Sequence, residues 1–215
     1  MEVVATSSSR RKLDPAAFPR VARYVRSLPR GLLSHPECEC KGSVYREGLA
    51  HLPRRMPTEG LDGLLADYFD NPMPVSSWVP EVVNTAAFLA MADAFFPTET
   101  GFLDWVGGFA ETTFRSPMYR VLMAVASPEV LARGGQRRWN AFHTGTDYES
   151  VIGTNGTEVT LSYPSGAFEP LVIRGTLRAI QAAYRASGAK QATVELVDFT
   201  DTRAVYKATW YPTRP

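Results

Sequence analysis

Between Tyr148 and Trp210 the chain reads as strand, tight turn, strand, amphipathic helix and a second strand pair, and this order limits the fold more than any other feature. Asn155-Gly156 is the dipeptide of a two-residue hairpin turn whose central residues take positive φ. Centring the turn there sets Ile152 opposite Val159, Ser150 opposite Leu161 and Tyr148 opposite Tyr163, all on one face. The other face, with Glu149, Val151, Thr160 and Ser162, is mostly polar, so only one side of this pair needs a cover. A stripe of Ile173, Leu177, Ile180 and Tyr184 then marks a helix over residues 171–186, with Gly188 placed to end it. Residues 193–199 and 204–210 form the second pair, turning near Asp201-Thr202. With that centring Val197, Phe199, Tyr206 and Trp210 share one face, while Val194, Leu196 and Val205 share the other. Apolar groups on both faces make Val194, Leu196 and Val205 a candidate interface with a partner or a second copy.

Upstream, the pattern is helical. Asp14-Pro15 has the form of a cap and first-turn proline, and Phe18, Val21, Val25 and Leu28 recur at helical spacing, with Pro19 placed to delay the start. A short helix falls near residues 44–52. Thr58 is the expected cap of the next, striped by Leu61, Leu64, Leu65, Tyr68 and Phe69. Residues 77–96 are apolar on nearly all sides, which predicts a central buried helix whose entry Trp78 staples. The following helix carries Phe102, Trp105, Val106, Phe109 and Phe114, and its Gly107-Gly108 pair points to close packing by a neighbour or to room for a ligand. Ser116-Pro117 and Ser127-Pro128 start two further helices, the second running through Trp139 towards Gly145.

Length and composition set bounds. The 215 residues suit one domain, read here as a flexible tail over 1–12 and a single α+β domain over 13–215, helical over 13–143 and hairpin–helix–hairpin over 144–215. With 23 Lys+Arg against 22 Asp+Glu the charges nearly cancel, which argues against a nucleic-acid partner. The basic side chains concentrate early, at Arg10, Arg11, Lys12, Arg20, Arg23, Arg26 and Arg30, and read as a solvated face or a binding surface. No apolar run reaches the roughly 18 residues of a membrane span. The opening residues do not form a signal peptide, and Cys38 and Cys40 sit too close to bridge without strain, so the expected location is cytoplasmic.

Few residues advertise chemistry. His35, Cys38 and Cys40 form the densest set of metal-ligand types, but a C-x-C without a second ligand pair falls short of a zinc pattern. His143, beside Arg138 and Trp139, reads either as a residue packed on tryptophan at a helix end or as a ligand-facing base or haem ligand. Arg120 and Arg138 serve buried pairs or an anionic ligand. Phosphate-loop, dinucleotide, zinc-protease and nucleophile-elbow motifs are absent.

Several segments in order, 35–42, 77–81, 117–120, 127–129, Arg138-Trp139-Asn140-Ala141-Phe142-His143-Thr144-Gly145 and 205–210, resemble an uncharacterised family of myxobacterial paralogues. The C-terminal half is also similar in layout to 4-vinyl-reductase-like domains, TRAPP-subunit-like domains and haem nitric-oxide sensors. That resemblance implies a sensing, scaffolding or dimerising module. Residues 193–210 contain no Cys or His, where metal- or tetrapyrrole-linked relatives often place them, so no cofactor is expected, with haem or another tetrapyrrole left open.

The expected architecture is α+β, with N-terminal helices on one face of a four-stranded antiparallel sheet. The expected function is a non-enzymatic interaction, scaffolding or regulatory module acting through protein contact and self-association. The alternative is a small-molecule sensor whose apolar cavity lies between the 102–114 helix and the sheet, near Trp105, Trp139, His143, Arg120 and Arg138.

Overall fold

The computed structural model describes residues 11–115, 127–189 and 191–211. Helix α1 (Pro19–Ser27) leads, starting late because Pro19 opens it, and Asp93 caps it by accepting from the backbone N–H groups of Arg20 and Val21 at 2.9 and 3.2 Å. Arg20 also pairs with that buried carboxylate at 3.0 Å, so one of the arginines read as a basic face is a tertiary contact. Helices α2 (Ser43–Ala50) and α3 (Gly63–Asp70) follow. Asp62 caps α3 by accepting from Leu64 N–H, whereas the hydroxyl of Thr58, the expected cap, turns to Asp70.

Helix α4 (Glu81–Phe95) is the centre of the molecule, and every residue from Glu81 through Ala92 is buried. Its start lies later than the apolar run predicts because Trp78–Pro80 is a strand, β2, paired with β1 (Glu39–Lys41). Trp78 is half-exposed under the ammonium of Lys41, 3.7 Å from the ring centre, and so does not staple the helix entry. Helix α5 (Glu99–Arg115) precedes α6 (Pro128–Arg133), capped by Ser127 as its sequence predicts, and α7 (Gly135–Phe142). Strand β3 (His143–Thr144) completes a small antiparallel sheet in the order β2-β1-β3.

The larger sheet is antiparallel in the order β4-β5-β7-β6, formed by β4 (Asp147–Gly153), β5 (Gly156–Ser162), β6 (Thr193–Phe199) and β7 (Arg203–Thr209). Helix α8 (Pro170–Ala186) crosses between the hairpins, lies on β6 and β7, and ends before Gly188 at φ +93°. The fold is therefore α+β, with helices on one face of the four-stranded sheet. Among the described residues one apolar core runs from Phe18 to Trp210.

Two registers differ from the sequence expectation. The first turn is Thr154-Asn155, with Gly153 paired to Gly156, so Tyr148 faces Leu161 and Ser150 faces Val159. The slip is two residues, and the faces are kept because side chains alternate with period two. Among the described non-glycine residues only His35 has positive φ, so this is not the type I′ turn that Asn155-Gly156 suggests. Gly156 is needed for a different reason: a Cβ there would stand 2.6 Å from the carbonyl oxygen of Ala208 on β7. In the second pair the register shifts between Leu196 and Asp198. This bulge at Val197 inverts the expected faces. Val194 and Leu196 point inward with Tyr206 and Ala208 and pack on the core, while Val205 lies on the outer face. The three residues expected to share one interface are thus divided between the two faces.

Gly156→Ala is expected to cost about 1–3 kcal/mol in urea unfolding, because β5 and β7 must move apart. Gly153→Ala, whose Cβ would meet its nearest neighbour at 3.7 Å, should stay within about 0.5 kcal/mol of the parent.

Candidate functional site

Strand β1 gathers the most unusual chemistry in the fold. Cys38 and Cys40 alternate with Glu37 and Glu39, so both thiols turn inward and both are fully buried. Cys40 pairs with Val79 on one side and His143 on the other, which brings the start of α4 and the start of β3 together across one short strand. Glu81 and His143, 62 positions apart in sequence, meet there with Oε2 3.0 Å from Nδ1.

Glu81 is 1% exposed, and a buried carboxylate of this kind needs partners for each oxygen. His143 serves Oε2 and Asn84 Nδ2 donates to Oε1 at 3.2 Å, with the buried Cys40 thiol beside the carboxylate. The backbone N–H of Glu81 donates to Cys38 O at 2.8 Å. The position at the N-terminus of α4 adds the favourable end of the helix dipole. On its open side His143 stacks on Trp139, with ring centres 3.8 Å apart and planes 9° from parallel. Trp139 in turn donates to Thr146 Oγ1 at 2.8 Å and stacks on Tyr148. The sequence reading of a histidine packed on tryptophan holds, but its polar partner is a distant buried acid rather than the last carbonyls of the helix.

The electrostatics suit a structural junction better than a nucleophile. Burial, with Glu81, Glu37 and Glu39 nearby, pushes the Cys38 thiol up to about 12. Cys40 is also pushed up, first by burial and then by Glu81. Neither is a thiolate near neutral pH. The phenols of Tyr24 and Tyr68 are raised by burial and then, among smaller causes, by the same acid. Tyr68 Oη and Asn84 Oδ1 are buried without a hydrogen-bond partner, leaving two unmet polar atoms close to Glu81. Nothing in the sequence marked Glu81 as the partner of His143, because the two lie on different elements 62 positions apart. The one available signal was an acid opening an otherwise apolar helix.

The remaining candidates scatter. His35 turns away, with Nε2 3.0 Å from Ser165 O, and the described residues contain no group of three or more His, Cys, Asp or Glu arranged to hold a metal. Trp105 belongs to a separate aromatic cluster with Phe96 and Phe109 and donates to His51 O at 3.0 Å. Arg138 donates to Leu131 O at 2.9 Å and lies against Gly134. Arg120 falls outside the described residues. Helix α8 lies between α5 and the sheet: it packs on α5 and on β6 and β7, and Gly175 sits against Val106 and Phe102. Gly175, rather than Gly107-Gly108, makes the close contact; a Cβ at Gly108 would meet nothing within 4 Å. No helix of the described residues is long and apolar enough to cross a membrane.

No protein-family model and no curated protein matches this chain. Among solved structures, that of a point mutant of T. tengcongensis H-NOX is similar at 11% identity over 90% of this chain and 97% of that chain, with a TM-score of 0.46. The likeness touches the haem nitric-oxide sensors named from layout above. It does not extend to the paralogue family or to the other two groups, and at this score it assigns no ligand.

Both thiols should resist an aromatic disulfide reagent in the native protein at pH 8 and react fully after unfolding in guanidinium. The linkage has a definite sign. A thiol raised on folding is protonated in the native state when the unfolded chain has already lost its proton, so stability falls as pH rises. For Cys38 the loss runs from the ordinary value of 9.0 towards about 12, at roughly 1.4 kcal/mol per pH unit, and Cys38→Ala should flatten it in urea melts.

Proposed function

We propose that this protein is a non-enzymatic regulatory module that acts through protein contact, and that its first partner is a second copy of the same chain. The observation that carries this reading is the outer face of the four-stranded sheet, which no described element covers. On that face Val151 is 73% exposed and Val197 48% exposed, while Val205, between Thr160 and Asp198, is itself buried. The neighbouring row reads Val151, Glu158, Lys207 and Glu195 across the four strands. A two-fold axis along the line between β5 and β7 would set Glu158 against Lys207 of the other copy, twice over. Such a face is complementary to itself. The protonated, enclosed thiols and the fully engaged Glu81 support a structural rather than a catalytic use of the polar core.

The size of the face fixes the strength of the contact. Four strands about 4.8 Å apart and about 23 Å long present on the order of 450 Å², so pairing two copies buries about 900 Å². That lies below the standard range for stable complexes and corresponds to weak, reversible association. Sedimentation should show mass rising with concentration between about 10 μM and 1 mM. Lys207→Glu should abolish the rise, and the charge swap Glu158→Lys with Lys207→Glu should restore it. A chain that stays monomeric at 1 mM, or a swap that fails to restore association in a folded protein, contradicts the reading.

A further inference from the structure

A second feature lies far from the sheet face and is independent of it. An open hollow of about 410 Å³ is lined by Leu49, Leu52, Met56 and Phe69, with Arg54 and Arg55 also on its wall. These residues come from three places: the end of α2, the irregular segment after it, and the end of α3. Their convergence makes a concave apolar floor. Its volume falls within the roughly 300–1,000 Å³ usual for small-molecule clefts.

The two arginines differ in their charge balance. Arg55 pairs with Asp70 at 3.1 Å, and that carboxylate also faces Arg11 at 3.7 Å and accepts from Thr58. Arg54 makes no ion pair among the described residues; its guanidinium carbon lies 5.6 Å from the ring centre of Phe95. The hollow thus combines an apolar floor with an uncompensated, planar donor that suits bidentate recognition of a carboxylate. A neighbouring hollow of about 400 Å³ is also basic, through Arg11 and Lys12, but it carries the acid Glu59 on its wall and Leu61 as its one large apolar side chain.

We propose that the hollow between α2 and α3 binds an anionic amphiphile, a carboxylate carrying a short apolar chain, with the head at Arg54 and the chain over Leu49, Leu52 and Phe69. Octanoate is a direct probe. In methyl NMR spectra of the full chain it should shift Leu49, Leu52 and Met56, with a Kd of about 0.1–1 mM, the range for a ligand of this size. Acetate and octan-1-ol should each bind at least tenfold more weakly, because each lacks one half of the recognition. Arg54→Gln should weaken octanoate about fivefold or more without changing the melting temperature, and Leu52→Asp should abolish the shifts. Equal binding of octan-1-ol identifies a merely greasy surface and overturns the proposal. Equal binding of acetate identifies an unspecific anion contact and does the same, as do unchanged affinity in Arg54→Gln or shifts confined to other methyls.

Discussion

The buried carboxylate of Glu81 organises the junction between the two sheets of this fold. Glu81 is 1% exposed at the first turn of a helix that is enclosed and mostly apolar. Burying a carboxyl group away from water is costly unless its oxygens find partners. Here the oxygens are met by His143 from β3 and Asn84 from α4 itself, while the backbone N–H of Glu81 closes on Cys38 O just before β1. The cost of leaving Glu81 unpaired therefore pins three segments to one another. Breaking such a buried pair by removing one partner leaves the other without its match.

The consequences spread outward from that point. Fixing Glu81 sets where α4 begins, since its N–H closes on Cys38 O and Trp78–Pro80 must run as a strand. Fixing His143 places Trp139 beneath it and, through Trp139, sets α7 against Tyr148 of β4. The junction thus joins the small sheet to the large one through a stack of rings. The large sheet in turn presents its outer face, where the charged row of Glu158, Lys207 and Glu195 offers a surface rather than a cavity. The buried polar groups hold the frame, and the self-association proposed above would use the face that the frame leaves open.

Much of the frame was legible in sequence because it rests on local periodicity. The stripe of Ile173, Leu177, Ile180 and Tyr184 located α8, and the apolar run before Phe96 located α4. The dry face of the first hairpin survived a two-residue slip because parity was preserved. Parity failed at Val197, where one extra residue in β6 turned Val194 and Leu196 inward, and no residue in that strand announces a bulge. The small sheet was invisible, since strands of two or three residues carry no period. The pairing of Glu81 with His143 was equally hidden: it depends on β1 passing between two segments 62 residues apart, a fact of topology rather than of pattern. Trp105 and Trp139 looked like one cavity's lining because the sequence does not say that α8 lies between α5 and the sheet.

The claim that Glu81 and His143 form one energetic unit is open to a direct test. A double-mutant cycle with Glu81→Leu and His143→Leu, read by urea unfolding at pH 7, separates their coupling from their individual burial. The account expects each single change to cost about 3 kcal/mol and the double change to cost clearly less than the sum, with a coupling of about 2 kcal/mol. Additivity within about 0.5 kcal/mol would contradict it, since the two side chains would then be neighbours without being partners.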